Sequence, residues 1–144
     1  MLFGKKKRRI NHLLIVEDEP LVAFDTEHFL TEEGFEIAAT VNTVAEALAH
    51  LGSATMIDLV LVDVALADGS GIAVAEAAHA RGVRVLFVTG GCPDDARGVA
   101  AGCLAKPYAQ RDLLQAIGVV DDVLRGRKPR RAPGGFNLFL EATA

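Results

Sequence analysis

A chain of 144 residues, 51% hydrophobic, suits one domain with a real core and leaves little for a second. The formal charge of -4 hides an asymmetry: ten of the fifteen basic residues cluster over 5–9 and 125–131, while residues 10–124 carry five basic against eighteen acidic side chains, a net of -13. That body favours cations and basic partners and argues against specific nucleic-acid binding. No apolar run is long enough for a membrane span or a signal-peptide core, and two cysteines without metal-ligand spacing or disulfide-scaffold density fit a reducing cytoplasm.

Short apolar runs alternate with helical patterns, the arrangement of βαβ units and a parallel sheet covered on both faces. Strands are predicted over 12–16, 35–40, 58–62, 84–88 and 103–105. Pro20 suits a first helical turn and Gly34 an αL cap, so a helix joins them with Val22, Phe29 and Leu30 on one face. Thr43 and Glu46 have capping-box spacing, and Val44, Ala47, Leu48 and Leu51 follow at i, i+3, i+4, i+7. An alanine-rich helix over 71–81 stops at Gly82. Pro93-Asp94-Asp95 opens a segment that Gly98 weakens and few large apolar residues anchor, so a short, mobile fourth helix is expected there. A last helix over 109–124 sets Leu113, Ile117, Val120 and Leu124 on one stripe.

The expected fold is therefore α/β, a doubly wound five-stranded parallel sheet. Residues 1–10 read as a basic tail, 11–125 as the domain, and 126–144 as a disordered C-terminal tail ending in a small apolar patch from Phe136 to Leu140. Both basic clusters read as solvated tails that hold solubility, with anionic lipid, nucleic acid or an acidic surface as the functional alternative. His12, His28, His50 and His79 share no face or ligand spacing and read as packing or surface residues.

Polar residues stand where four of these strands run out: Glu17-Asp18 after Leu13-Leu14-Ile15-Val16, Asp63 after Leu59-Val60-Leu61-Val62, Thr89 after Val88, and Lys106-Pro107 after Cys103-Leu104-Ala105. The carboxyl ends of parallel strands converge on one edge, so these residues are expected in one crevice. Each has an ordinary alternative: a buried structural acid, a β-branched strand residue, a solvated lysine. Together they suggest phosphate chemistry on a divalent cation, which takes one or two carboxylates and phosphate oxygens. Asp63 could then attack phosphorus, with Thr89 and Lys106 contacting phosphoryl oxygens.

This constellation resembles the receiver domain of two-component response regulators over residues 11–125, in Val16-Glu17-Asp18-Glu19-Pro20, Leu61-Val62-Asp63-Val64-Ala65-Leu66 with Asp68-Gly69-Ser70-Gly71, Thr89-Gly90, and Lys106-Pro107-Tyr108. The resemblance implies a flavodoxin-like (βα)5 receiver fold. It implies a stand-alone response regulator that is not an enzyme beyond its own phosphotransfer, and that signals through protein contacts or drains phosphate. Asp63 would be the phosphoacceptor, Thr89 the switch hydroxyl and Lys106 the phosphate-contacting lysine. Glu17, Asp18, Asp63 and the backbone carbonyl of Ala65 would hold Mg²⁺ or Mn²⁺, and the Lys106-Pro107 peptide would be cis. The donor would be a sensor histidine kinase or a histidine phosphotransfer protein, and the output an unknown downstream protein.

Several residues depart from the family pattern. Cys103 stands where a fifth-strand Tyr or Phe is common, so the usual coupling of the threonine to that ring is absent or rerouted. Phe87-Val88-Thr89-Gly90-Gly91 resembles a subgroup that lacks this aromatic and works with histidine kinases of the HWE type, although Cys92 replaces its next aromatic. The interval from Thr89 to Lys106 is short by about one helical turn, which trims a dimerisation surface and implies a monomer or an atypical dimer. Ala65 and Ala67 replace residues that tune phosphoryl lifetime or precede the loop. Two other classes remain: a small phosphohydrolase using Asp63 as nucleophile, against which Ala65 stands where an acid/base Asp is usual, and a flavin or nucleotide binder, against which no glycine-rich loop follows the first strand.

Overall fold

The computed structural model describes residues 8–140. In chain order it contains β1 (His12–Val16), α1 (Pro20–Glu32), β2 (Glu36–Val41), α2 (Val44–Leu51), β3 (Leu59–Val62), a hairpin of β4 (Ala65–Leu66) and β5 (Gly69–Ser70), α3 (Gly71–Ala80), β6 (Arg84–Thr89), a 3-10 helix (Asp94–Val99), β7 (Gly102–Ala105), α4 (Gln110–Leu124) and β8 (Phe136–Leu138). The main sheet runs β2-β1-β3-β6-β7-β8. Its first five strands are parallel, and β8 is antiparallel to β7.

Alternation along the strands builds two cores. Leu14, Val16, Val60, Val62, Val85 and Phe87 pack with Ala47 and Leu51 of α2 and Val74, Ala75 and Ala78 of α3. Their neighbours Leu13, Ile15, Leu59, Leu61, Leu86 and Val88 pack instead with Leu30 of α1 and Leu113, Ile117 and Val120 of α4. A strand with both faces covered must be apolar throughout, which is why β3 reads Leu-Val-Leu-Val. Connections leave β1 toward β2 on one side and reach β3 on the other, so the chain reverses direction between β1 and β3, where ligands of open α/β sheets bind.

Local expectations hold at most helix ends. Gly34 takes φ 94°, and Thr43 accepts the Glu46 backbone N–H at 3.1 Å as an N-cap. The fourth connection winds as a 3-10 helix, with Ala96 its buried residue. The two cysteines, to which the sequence assigns no pairing, form a disulfide with Cα atoms 6.0 Å apart.

The largest correction concerns the tails. Residues 126–140, expected as disordered, return across α4 and supply the sixth strand. Asp122, 6% exposed, accepts the Arg130 backbone N–H at 2.8 Å and its Nε–H and Nη2–H at 2.9 and 3.1 Å, while Gln115 donates to the Arg131 carbonyl. Gly102 makes room for β8, because a Cβ there would lie 2.7 Å from the Asn137 carbonyl oxygen and 2.8 Å from Phe136 Cε1. At the other terminus, Ile10 is buried and the N–H groups of Arg9 and Ile10 donate to Asp121 Oδ1 at 2.8 and 2.9 Å, so the basic tail is docked from at least Arg8, whose guanidinium lies 3.9 Å from the centre of the Phe35 ring. The remaining tail residues, 1–7 and 141–144, lie outside the described residues.

Candidate functional site

The carboxyl ends of β1, β3, β6 and β7 meet at one edge because the four strands are parallel neighbours in close register: Val16 opposite Val62, Val62 opposite Phe87, and Thr89 opposite Ala105. The residue after β1, β3 and β7 and the last residue of β6 therefore come to a shared crevice. The Glu17 backbone N–H donates to the Val41 carbonyl at 2.9 Å, and the Asp63 N–H to the Val16 carbonyl at 3.2 Å, which fixes both acids at the switch point. Gly71, the first residue of α3, packs so closely on Asp63 that a Cβ there would collide with the Asp63 carbonyl.

Glu17, Asp18 and Asp63 can each offer a carboxylate oxygen such that all three lie within 4.8 Å of one another. Glu17 is 4% exposed and Asp63 9% exposed, so two of the three acids are largely withdrawn from water. Lys106 spans them: its Nζ donates to Glu17 Oε1 and to Asp63 Oδ2, both at 2.8 Å. Burial by itself would lower the Lys106 pKa, but hydrogen bonds to Asp63 and Glu17 hold it well above the ordinary lysine value, so the side chain is a permanent cation here. The other oxygens are engaged too, Glu17 Oε2 by the Glu19 N–H at 3.1 Å and Asp63 Oδ1 by the Ala65 N–H at 3.2 Å.

Thr89 ends β6 with 5% exposure, and its carbonyl accepts the Lys106 backbone N–H at 2.8 Å. That bond ties the last two stations side by side. The Lys106-Pro107 peptide is cis, as the resemblance implied. All five side chains singled out in the sequence thus come to one edge, and Ala65 follows two residues beyond Asp63.

The three hard oxygen donors suit a small divalent cation, and their crowding suits it better than it suits an empty cluster, because one ammonium leaves two negative charges uncompensated. Glu17, Asp18 and Asp63 are the residues that could hold it.

Two neighbours of the site stood in the motifs read from the sequence without a role. Tyr108 is half-buried beside Lys106; burial pushes its phenol pKa up and the Lys106 charge opposes the rise. Asp68, in the loop beyond Asp63, accepts the N–H groups of Val44 and Ala45 at 2.7 and 3.1 Å, pinning that loop to the N-terminus of α2 and holding its carboxyl pKa below the usual range. The order Asp-Gly-Ser-Gly marks the turn, but nothing local shows that its acid caps a helix that begins 24 residues earlier.

Residues 13–118 match the response regulator receiver domain family. Transcriptional regulatory protein PdtaR of Mycobacterium tuberculosis (strain H37Rv) is 35% identical over 111 residues, covering 73% of this chain and 54% of that protein. The TorCAD operon transcriptional regulatory protein TorR of Escherichia coli (strain K12) is 29% identical over 113 residues, covering 74% and 48%. The chain thus spans about half the length of these curated relatives. Among solved structures, a CheY-like receiver domain protein from Methanospirillum hungatei JF-1 superposes with TM-score 0.68 at 30% identity, covering 75% of this chain and 90% of that one. The non-phosphorylated HemR receiver domain from Leptospira biflexa gives TM-score 0.69 at 25% identity, covering 84% and 99%.

Proposed function

Because this chain belongs to the response regulator receiver domain family, whose general role is to accept a phosphoryl group, we propose that Asp63 is its phosphoacceptor and that a phosphohistidine on a sensor kinase or phosphotransfer protein is the donor. One observation carries this reading: Lys106 bridges Glu17 and Asp63 at 2.8 Å each inside a cluster of three carboxylates at the sheet's switch point.

In the transfer, an Asp63 carboxylate oxygen forms a bond to phosphorus as the bond from phosphorus to the imidazole nitrogen breaks, and that nitrogen keeps the electron pair. The product is an acyl phosphate on Asp63. There is little covalent chemistry for the protein to perform, so its work is positioning and charge neutralisation. Lys106 already touches the acceptor carboxylate as a cation, ready to hold a phosphoryl oxygen. Thr89, at the end of the adjacent strand, offers a hydroxyl to another oxygen. A bound Mg²⁺ or Mn²⁺ supplies the charge that lets an ionised Asp63 approach an anionic phosphoryl group.

The donor must bring its histidine to this edge, and α1 presents an apolar landing: Leu21 and Phe24 are 80% and 67% exposed, one turn apart, directly after the Glu17-Asp18 station. A hydrolase reading has less to stand on, because the residue two beyond Asp63 is Ala65, a methyl group with no proton to exchange. Incubation with acetyl phosphate and Mg²⁺ tests the assignment: wild type gains one phosphoryl group by intact mass, and Asp63→Asn gains none. Undiminished labelling of Asp63→Asn overturns it.

A further inference from the structure

The bridge between Cys92 and Cys103 lies between two stations of the site. Cys92 is three residues beyond Thr89, and Cys103 is three residues before Lys106. These are the only cysteines in the chain, so each is the other's sole intramolecular partner. Their accessibility differs: Cys103 is 0% exposed on β7 opposite Phe87, while Cys92 is half-buried in the loop that follows β6. An attacking thiolate can therefore reach Cys92 and not Cys103.

Apart from the bridge, the segment is held by a six-residue 3-10 helix with small buried anchors, Ala96, Ala100 and Ala101, by half-buried Val99, by the Ala101 N–H to the Val85 carbonyl at 2.7 Å and the Phe139 N–H to the Ala101 carbonyl at 2.8 Å, and by Arg97 over the Phe139 ring. A covalent tie across 11 residues thus adds to a set of mostly small anchors. A bridge of this kind, in a compartment that keeps thiols reduced, is transient and sensing more often than structural.

We infer that Cys92 and Cys103 form a thiol–disulfide exchange site whose substrate is a dithiol reductant, and that its redox state sets the order of residues 92–103 and, through Thr89 and Lys106 on either side, the rate of phosphoryl chemistry at the site. A reductant thiolate attacks Cys92 Sγ, the bond between the two cysteine sulfurs breaks, and Cys103 leaves as a thiolate that takes a proton. The second thiol of the reductant then attacks the mixed disulfide and releases Cys92, which is protonated in turn. Two electrons and two protons pass to the protein, and the reductant leaves as a disulfide. Exchange with a small-molecule disulfide reverses the sequence.

The claim about phosphoryl chemistry rests on the Asp63 reading; the claim of exchange does not. The full chain is equilibrated without denaturant in dithiothreitol or in glutathione disulfide, alkylated and weighed, with hydrogen exchange and acetyl phosphate labelling followed on both forms. Expected are alkylation of Cys92 on the reduced form and of neither cysteine on the oxidised, amide exchange over 93–101 faster by about tenfold on reduction, and a phosphoryl lifetime changed by about threefold or more. Cys92→Ser should show the hydrogen exchange and phosphoryl lifetime of the reduced form in either buffer. Alkylation that needs denaturant, alkylation that is complete in glutathione disulfide, or identical hydrogen exchange in the two forms overturns the inference, and an unchanged lifetime overturns its link to the site. Should Cys92→Ser not fold, the wild-type comparison decides alone. If neither form accepts phosphate, the Asp63 reading fails while the alkylation and exchange results still judge the bridge.

Discussion

Three carboxylates and one ammonium define the site at the scale of single residues, and their balance is unfavourable when no cation is bound. Asp18 is the most accessible acid of the cluster, half-buried where Glu17 and Asp63 are buried, and Lys106 reaches the other two. Replacing Asp18 by Asn removes a like charge without breaking an ion pair to Lys106. The metal-free protein is expected to gain about 0.5–1 kcal/mol, roughly 2–3 °C in Tm, while affinity for Mg²⁺ falls about tenfold. Tyr108 is the only tyrosine and the chain has no tryptophan, so its fluorescence reports the titration from beside the site. A variant less stable than wild type without metal would contradict this account of the cluster. The five side chains were legible in the sequence because each ends an apolar run. Asp68 as a cap on α2 was not, since its partners lie on another element.

At the scale of elements, β8 is where sequence pattern and structure part. Its residues follow a stretch rich in Gly, Pro and Arg, the composition of a linker, yet Cys103 pairs with Asn137 and Leu104 with Phe136 across an antiparallel ladder. Three residues cannot announce a strand by alternation; the docking is decided by an open edge on β7 and by the space that Gly102 leaves. Gly102→Val fills that space and is expected to expel β8 at a cost of about 1–3 kcal/mol. Hydrogen exchange should then show the amides of 136–138 losing protection while β1 and β3 keep theirs. Retained protection over 136–138 would mean that β8 does not depend on that gap. The 3-10 helix is a milder case: the weak anchors and Gly98 were visible, but the bridge that closes the segment was not, because two cysteines 11 residues apart carry no pairing signal by themselves.

For the whole molecule, the segments at both ends of the described residues fold back onto α4 through two neighbouring acids. Asp121 receives the N–H groups of Arg9 and Ile10, and Asp122 receives Arg130. The Arg130 guanidinium holds the Asp122 carboxyl below the usual carboxylate range against the opposing effect of burial. Its folded-state pKa thus lies under its unfolded value, so its stabilisation is full above about pH 4 and is lost as pH falls through the folded value. Asp58 behaves alike: burial would raise it, and the N–H groups of Asn11 and His12 with the His12 ring overcome that and lower it. Asp122→Asn is expected to cost about 1 kcal/mol near pH 7, modest because the Arg130 side chain is half in solvent. The cost should shrink as pH falls below the usual carboxylate range and through the lowered folded-state value, as followed by urea unfolding from pH 7 downward. A cost independent of pH would show that charge at Asp122 is not what holds the C-terminal segment.

By itself the sequence determined the alternating α/β order, the two-sided burial of the strands and the chemistry gathered at one edge, because each is written in local periodicity or in the residue that ends a strand. Tertiary structure alone decided what depends on partners distant along the chain: Lys106 seated between Glu17 and Asp63, Asp68 capping α2, a basic tail laid over Asp122 to complete the sheet, and two cysteines brought together between Thr89 and Lys106. A residue's type limits the bonds it can make, and only the fold brings it the group to bond.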